Sequence, residues 1–149
     1  MATDDIVRAN APTDAFDFGV TPAAAAPPLA AARVAIVTTA GFHGRDGGVW
    51  REGQGYVAFD SHDRDLTLAH ASTNFDRSGL VADLNVVYPA DRLEEMTADG
   101  VIGSVASQHL SFMGAQPDHV LETLRLDTGP QAAALLRADG VDVAILTPV

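Results

Sequence analysis

The sequence predicts an α/β fold, layered, with a mostly parallel sheet and crossover helices. Two observations carry that expectation. Val34 to Val37 in "ARVAIVTTAG" is a continuous apolar, largely β-branched run, the pattern of a strand covered on both faces. Further on, "YPADRLEEMTADGVIGSVAS" and "GPQAAALLRADGVDVAILT" share one plan: a helix, then "ADGV", then a short apolar strand. Helices alternating with strands imply the crossovers that parallel strands need.

Each element can be justified in order. Residues 1–31 show no sustained periodicity and end in an Ala/Pro run, so they read as a tail or linker, with "AFDFGV" docked on the body at most. The domain spans residues 32–149. After the first strand, "GFHGRDGGVWREGQGYVAFDSHDRD" is Gly-rich and polar and reads as a flexible loop. Leu66 to Ala71 alternates well enough for a strand. In the first repeat unit Pro89 stands near a helix start, Leu93 and Met96 share a face, and Gly100 follows the helix. Pro130, the apolar body Ala132 to Leu136, and Gly140 repeat this in the second. Pro lacks the N–H that a first turn cannot use, and Gly tolerates the positive φ of a helix stop. Strands beginning near Val34, Val101 and Val141 are therefore expected in one sheet. The last would lack a crossover helix after it, leaving Val143 and Ile145 partly uncovered and the fold incomplete at the C-terminus.

Composition excludes several classes of function. Apolar residues make up 47% and charged residues 19%, a soluble globular profile. The net charge is −11, and nine scattered cations form no basic stripe, which argues against nucleic acid and anionic membranes as partners. There is no cysteine, hence no disulfide, no Cys-based zinc site and no thiol nucleophile. The acidic N-terminus "MATDDIVRAN" is unlike a secretory signal, and "AAAAPPLAAA" is too short and too broken for a membrane span, so a cytoplasmic protein is expected.

In open α/β sheets chemistry gathers at the carboxyl ends of the strands. His43 follows the first strand, and His109 follows "VIGSVAS" in the same way, so either could orient a substrate or carry a proton. His70 lies in or beside a strand. The spacings of these histidines match no metal motif, and no metal is expected. The Gly-rich loop lacks G-x-G-x-x-G order and a G-K-[ST] sequence, which argues against a nucleotide site. Asp91, Glu94 and Glu95 read as a solvated helix face, and Phe112 and Met113 as core or pocket wall.

Three blocks in order, "ARVAIVTTAGFH", "DLNVVYPADRLEEMTADGVIGSVASQHLSFMG" and "LLRADGVDVAILTPV", resemble the selenoprotein B family of glycine, sarcosine, betaine and D-proline reductases. The resemblance covers about residues 31–149. It implies an oxidoreductase that cleaves a C–N bond reductively with electrons from a dithiol. It further implies a small amine or amino-acid substrate and other reductase subunits as partners. In the family, the strand resembling "VDVAILTPV" is followed at once by selenocysteine or cysteine. The chain up to Val149 would then hold no nucleophile and no cofactor, be inactive alone, and precede a selenocysteine encoded by UGA. Thr147 and the Pro148-Val149 backbone would support that residue. Where the family resemblance leads one to expect an Arg-His-Tyr-like run, this chain has Gln108-His109-Leu110. The alternative is a non-catalytic metabolite-binding or assembly subunit, with His43, His109 and Ser111 forming its pocket.

Overall fold

The computed structural model describes residues 24–45, 50, 55–70, 76–114, 116 and 118–149. Of the stretch read as a tail, residues 24–31 are exposed and end in a single 3-10 turn, Leu29–Ala31. "AFDFGV" lies outside the described residues. The fold is α/β, built on one five-stranded, mostly parallel sheet.

Strand β1 (Arg33–Thr38) is the centre of that sheet. Its apolar run is buried on both faces: Val34, Ala35 and Ile36 are each at most 2% exposed. The chain then makes β2 (Phe42–Gly44), β3 (Tyr56–Asp60) and β4 (Leu66–Leu68). The sequence stretch read as a loop therefore contains two strands. β3 pairs antiparallel with a later strand of the main sheet, while β2 and β4 form a separate antiparallel pair. Tyr56, Val57 and Phe59 are strong strand formers, but the glycines around them mask the signal. The alternation noted at Leu66 yields a strand of three residues, ending at Leu68.

Before the first repeat unit come α1 (Ser78–Ala82) and a 3-10 turn (Leu84–Val86); the unit itself gives α2 (Ala90–Ala98) and β5 (Ser104–Val105), and β6 (Gln108–Phe112) follows it. Before the second come α3 (Asp118–Thr123) and a π-helical turn (Leu124–Thr128), and the unit itself gives α4 (Gly129–Ala138) and β7 (Val143–Thr147). Both units stop their helices identically. Val101 N–H reaches Met96 O and Gly100 N–H reaches Thr97 O; Val141 N–H reaches Leu136 O and Gly140 N–H reaches Arg137 O. These are Schellman caps, with Gly100 and Gly140 at φ of 70° and 71°. Their starts differ. Pro89 caps α2, whereas Pro130 falls inside one continuous helical run from Asp118 to Ala138. Pro130 has no N–H to give and its ring crowds the preceding turn, and the wider π turn just before it accommodates both.

All three expected strands flank or form the centre of the sheet. β7 runs parallel along one edge of β1 from Val34↔Val143 to Thr38↔Thr147. β5 and β6 therefore share the other edge, parallel to β1, and β3 closes that side. The strand expected near Val101 begins at Ser104 and is interrupted. Val34 pairs with Val105 but Val37 with Leu110, so three steps along β1 match five along its neighbour. This two-residue bulge keeps parity, and Val105, His109 and Ser111 remain on one face. Asp139 of the second "ADG" pins the bulge, accepting from Ser107 N–H at 2.7 Å while it pairs with Arg33 at 2.8 Å.

The core lies on that same face. Val34, Ile36 and Phe59 pack there with Leu93 and Ala90 of α2, and partly buried Val143 and Ile145 of β7 join them. Val143 and Ile145 are thus partly uncovered, as expected, and the opposite face of β7 is barer still: Ala144 and Leu146 are exposed, Leu146 at 71%.

Candidate active site at the strand ends

Three parallel strands end side by side, and their last core-facing residues are hydroxyls: Thr147 on β7, Thr38 on β1 and Ser111 on β6, paired in register across β1. Each hydroxyl is committed. Thr38 Oγ1 accepts from Ala40 N–H at 3.2 Å, and Ser111 Oγ accepts from Phe42 N–H at 2.8 Å. Thr147 Oγ1 donates to Val87 O at 2.9 Å. These bonds draw the segment after β1 across the end of β6 and seat the 3-10 turn beside β7. Satisfying buried backbone N–H groups is the immediate use of the Thr38 and Ser111 side chains.

The loop after β1 brings Thr39, Gly41 and His43 to this end. Gly41 adopts φ of 68° and its N–H bonds Phe112 O, while its own carbonyl receives Ala69 N–H. A side chain there would strike Met113 and the His70 backbone. His43 is 6% exposed, and its Nδ1 donates to Gly44 O at 2.7 Å, which places the proton on Nδ1. His70, just after β4, is 5% exposed. Burial and then the nearby Arg77 cation hold its pKa below the ordinary imidazole value. Arg77 also donates to His70 O at 3.0 Å, fixing the backbone.

His109 does not reach this end, because the strand resumes after the bulge and His109 sits within β6, opposite Phe59. Its location after the "VIGSVAS" strand is thereby corrected. The ring is wholly buried, and its Nδ1 accepts the Ile36 N–H at 3.1 Å. The bulge carries the β6 backbone past Ile36, and the imidazole supplies the acceptor. Nε2 has no hydrogen-bond partner among the described residues, and the ring meets Tyr88 edge-on at 5.5 Å. Burial and then Arg64 lower its pKa to about 4, so the ring is neutral at neutral pH.

The structure thus gathers His43, Ser111 and Thr147 at one end of the sheet together with His70, leaves His109 inside it, and adds Thr39. Thr39 was missed because one Thr of a "TT" pair after a strand looks like any other. The helix face of Asp91, Glu94 and Glu95 is paired as well as solvated: Arg64 bonds Asp91 at 2.9 Å and Glu94 at 2.8 Å, and Arg92 bonds Glu95. Arg64 also lies over the Tyr88 ring. Met113 is buried and, with Phe112, lines a small cavity under the π turn, as a pocket wall would. A wider cleft of about 470 Å³ opens elsewhere, at the bulge between Arg33, His62, Glu94 and Ser107. No group of side chains suited to hold a metal occurs among the described residues. No described helix is long and apolar enough to cross a membrane.

Comparison with known proteins places the chain in a family. The chain is 27% identical over 118 residues to D-proline reductase subunit gamma of Acetoanaerobium sticklandii, a match covering 76% of this chain and 47% of that subunit. The chain therefore spans about half the length of the curated relative it matches. No solved structure matches it. The profile for glycine/sarcosine/betaine reductase selenoprotein B matches residues 7–149, beginning well inside the stretch read as a tail. The chain belongs to the glycine/sarcosine/betaine reductase selenoprotein B family.

Proposed function

We propose that this chain is the front part of an oxidoreductase subunit that cleaves a C–N bond of a small amine or amino acid. In that reaction carbon and nitrogen each gain a bond to hydrogen, and a dithiol supplies both electrons and both protons and ends as a disulfide. The nucleophile is a selenocysteine or cysteine directly after Val149, and the 149-residue chain is inactive alone. The carrying observation is the position of Val149. Family membership extends to it, and it leaves β7 at the sheet end where the exits of β1 and β6 converge. A selenol is more acidic than a thiol, whose reference pKa is about 8.5, so it is anionic at neutral pH and suited to this attack. His43 and His70 are described ionisable groups brought to that end, together with the Thr147 hydroxyl. Other reductase subunits are the partners, the compartment is the cytoplasm, and D-proline is the first substrate to test because the relative is named for it.

Two measurements test the reading. The codon after Val149 should be UGA or a cysteine codon, followed by an open frame. The product of that whole frame, assayed with its partner subunits and a dithiol, should cleave an amine that residues 1–149 alone do not. A UAA or UAG codon would transfer the protein to the binding or assembly reading.

A further inference from the structure

We infer that Thr39 is the positioning residue of this site, holding the exit of β7 so that the residue after Val149 is presented in one place. This rests on the function proposed above. All three polar groups of Thr39 are engaged with neighbouring strand exits. Its N–H donates to Thr147 O at 3.1 Å, and its carbonyl accepts Gly114 N–H at 2.9 Å. These two bonds continue the sheet ladder on either side of β1. The third is different: Thr39 Oγ1 accepts the N–H of Val149 at 2.8 Å, beyond the end of the strand.

A segment two residues past a strand ordinarily frays. Here Val149 is held by a side chain as well as by packing of its own side chain against the core. The opposite wall is Gly114, where a side chain would be crowded. A Cβ there would lie 2.9 Å from His70 Nε2, 3.1 Å from Thr39 O and 3.2 Å from Val149 O. The exits of β6 and β7 and the His70 ring therefore close around one point. The N–H of Val149 is thus bonded to Thr39 on one side, and Gly114 lies close to its carboxyl end on the other. A nucleophile misplaced by about 1 Å can lose about 100-fold in rate, so such a clamp matters to chemistry more than to stability.

Val is nearly isosteric with Thr but offers no acceptor, and Ser keeps the acceptor without the methyl. The test uses the full reading-frame product in its native complex, as wild type, T39V and T39S. Turnover is read with D-proline, glycine, sarcosine and betaine, and amide exchange at Val149 is read by NMR on residues 1–149. T39V should lower kcat by about 100-fold with KM within about twofold, and T39S should recover most of it. Val149 N–H exchange should quicken in T39V and stay slow in T39S. Unchanged kcat in T39V, an equal fall in T39S, or unaltered exchange at Val149 each overturns the assignment. A wild-type complex inactive on every amine refutes the reaction instead, and the exchange result then decides the clamp.

Discussion

Val37 on β1 has two register partners, Leu110 on β6 and Leu146 on β7. Both are leucines on the same face of one sheet, and both come after a helix that stops at "ADG". Yet Leu110 is fully buried and Leu146 is 71% exposed. The helical run from Asp118 to Ala138 packs its π turn near Gly55 and Phe112, on the β3–β6 side, and the Leu146 face of β7 stays bare. Two repeats with the same local grammar thus take opposite roles: one strand is interior and bulged around a histidine, the other is straight and lies at an edge. Local sequence sets the caps and the strand, and neighbours set what the strand's side chains experience.

The largest expected effect tests that difference directly. Leu110→Ala should lower the unfolding free energy by about 2–5 kcal/mol, the range for a buried leucine, read from urea midpoints. A loss under about 1 kcal/mol would mean that the β6 face is not packed as described.

The buried histidine of the interior strand should leave a pH signature of roughly 3 kcal/mol. Its folded pKa of about 4 lies below the ordinary 6.5, so protonation favours the unfolded chain. The stability it contributes is present above pH 6.5 and is lost as pH falls towards 4. His70, also lowered, acts in the same direction. In His109→Phe the Ile36 N–H loses its acceptor, which should cost about 1–3 kcal/mol at pH 7. The gap between wild type and this variant should narrow by pH 4.5; a constant gap would show that the ring does not titrate with unfolding.

The caps, by contrast, should behave alike. Gly100→Ala and Gly140→Ala each force a Cβ into left-handed backbone and should cost about 1–2 kcal/mol. No atom lies within 4 Å of the added Cβ at Gly100, and Arg33 makes an ordinary contact at Gly140, so the backbone term dominates both. Thermal midpoints differing widely between the two would break the equivalence of the repeats.

The smallest effect belongs to the edge. Leu146→Ala should change the stability of residues 1–149 by less than about 0.5 kcal/mol. In a product in which this face of β7 is covered, the same substitution should approach the cost of Leu110→Ala, which makes the variant a sensor for such cover.

Much of this was legible in the sequence, and the exceptions share a cause. Pro89, Gly100 and Gly140 act through backbone geometry within a few residues, and the caps they imply are present. The parallel pairing of the Val34, Ser104 and Val143 regions follows from the helical crossovers between them. The strand at Tyr56–Asp60 was hidden, because its pairing with β6 spans about a third of the chain and no local pattern announces it. His109 was displaced from the expected site by a bulge that adds two residues without changing parity, which leaves the hydrophobic pattern undisturbed. Thr39 carried no local signal, since its importance lies in what it meets from other elements, and His70 was legible only as a histidine in or beside a strand.

Helix stops, the buried central strand, the lack of any thiol and the family resemblance were determined by the sequence alone. Each depends on residue identity or on neighbours a few positions away. Which face of β7 stays bare, whether a histidine serves the sheet or its end, and which hydroxyl holds Val149 were decided by tertiary structure. Burial and hydrogen-bond completion act between segments as far apart as Thr39 and Val149, where the energy depends on distance in space and the sequence records only order.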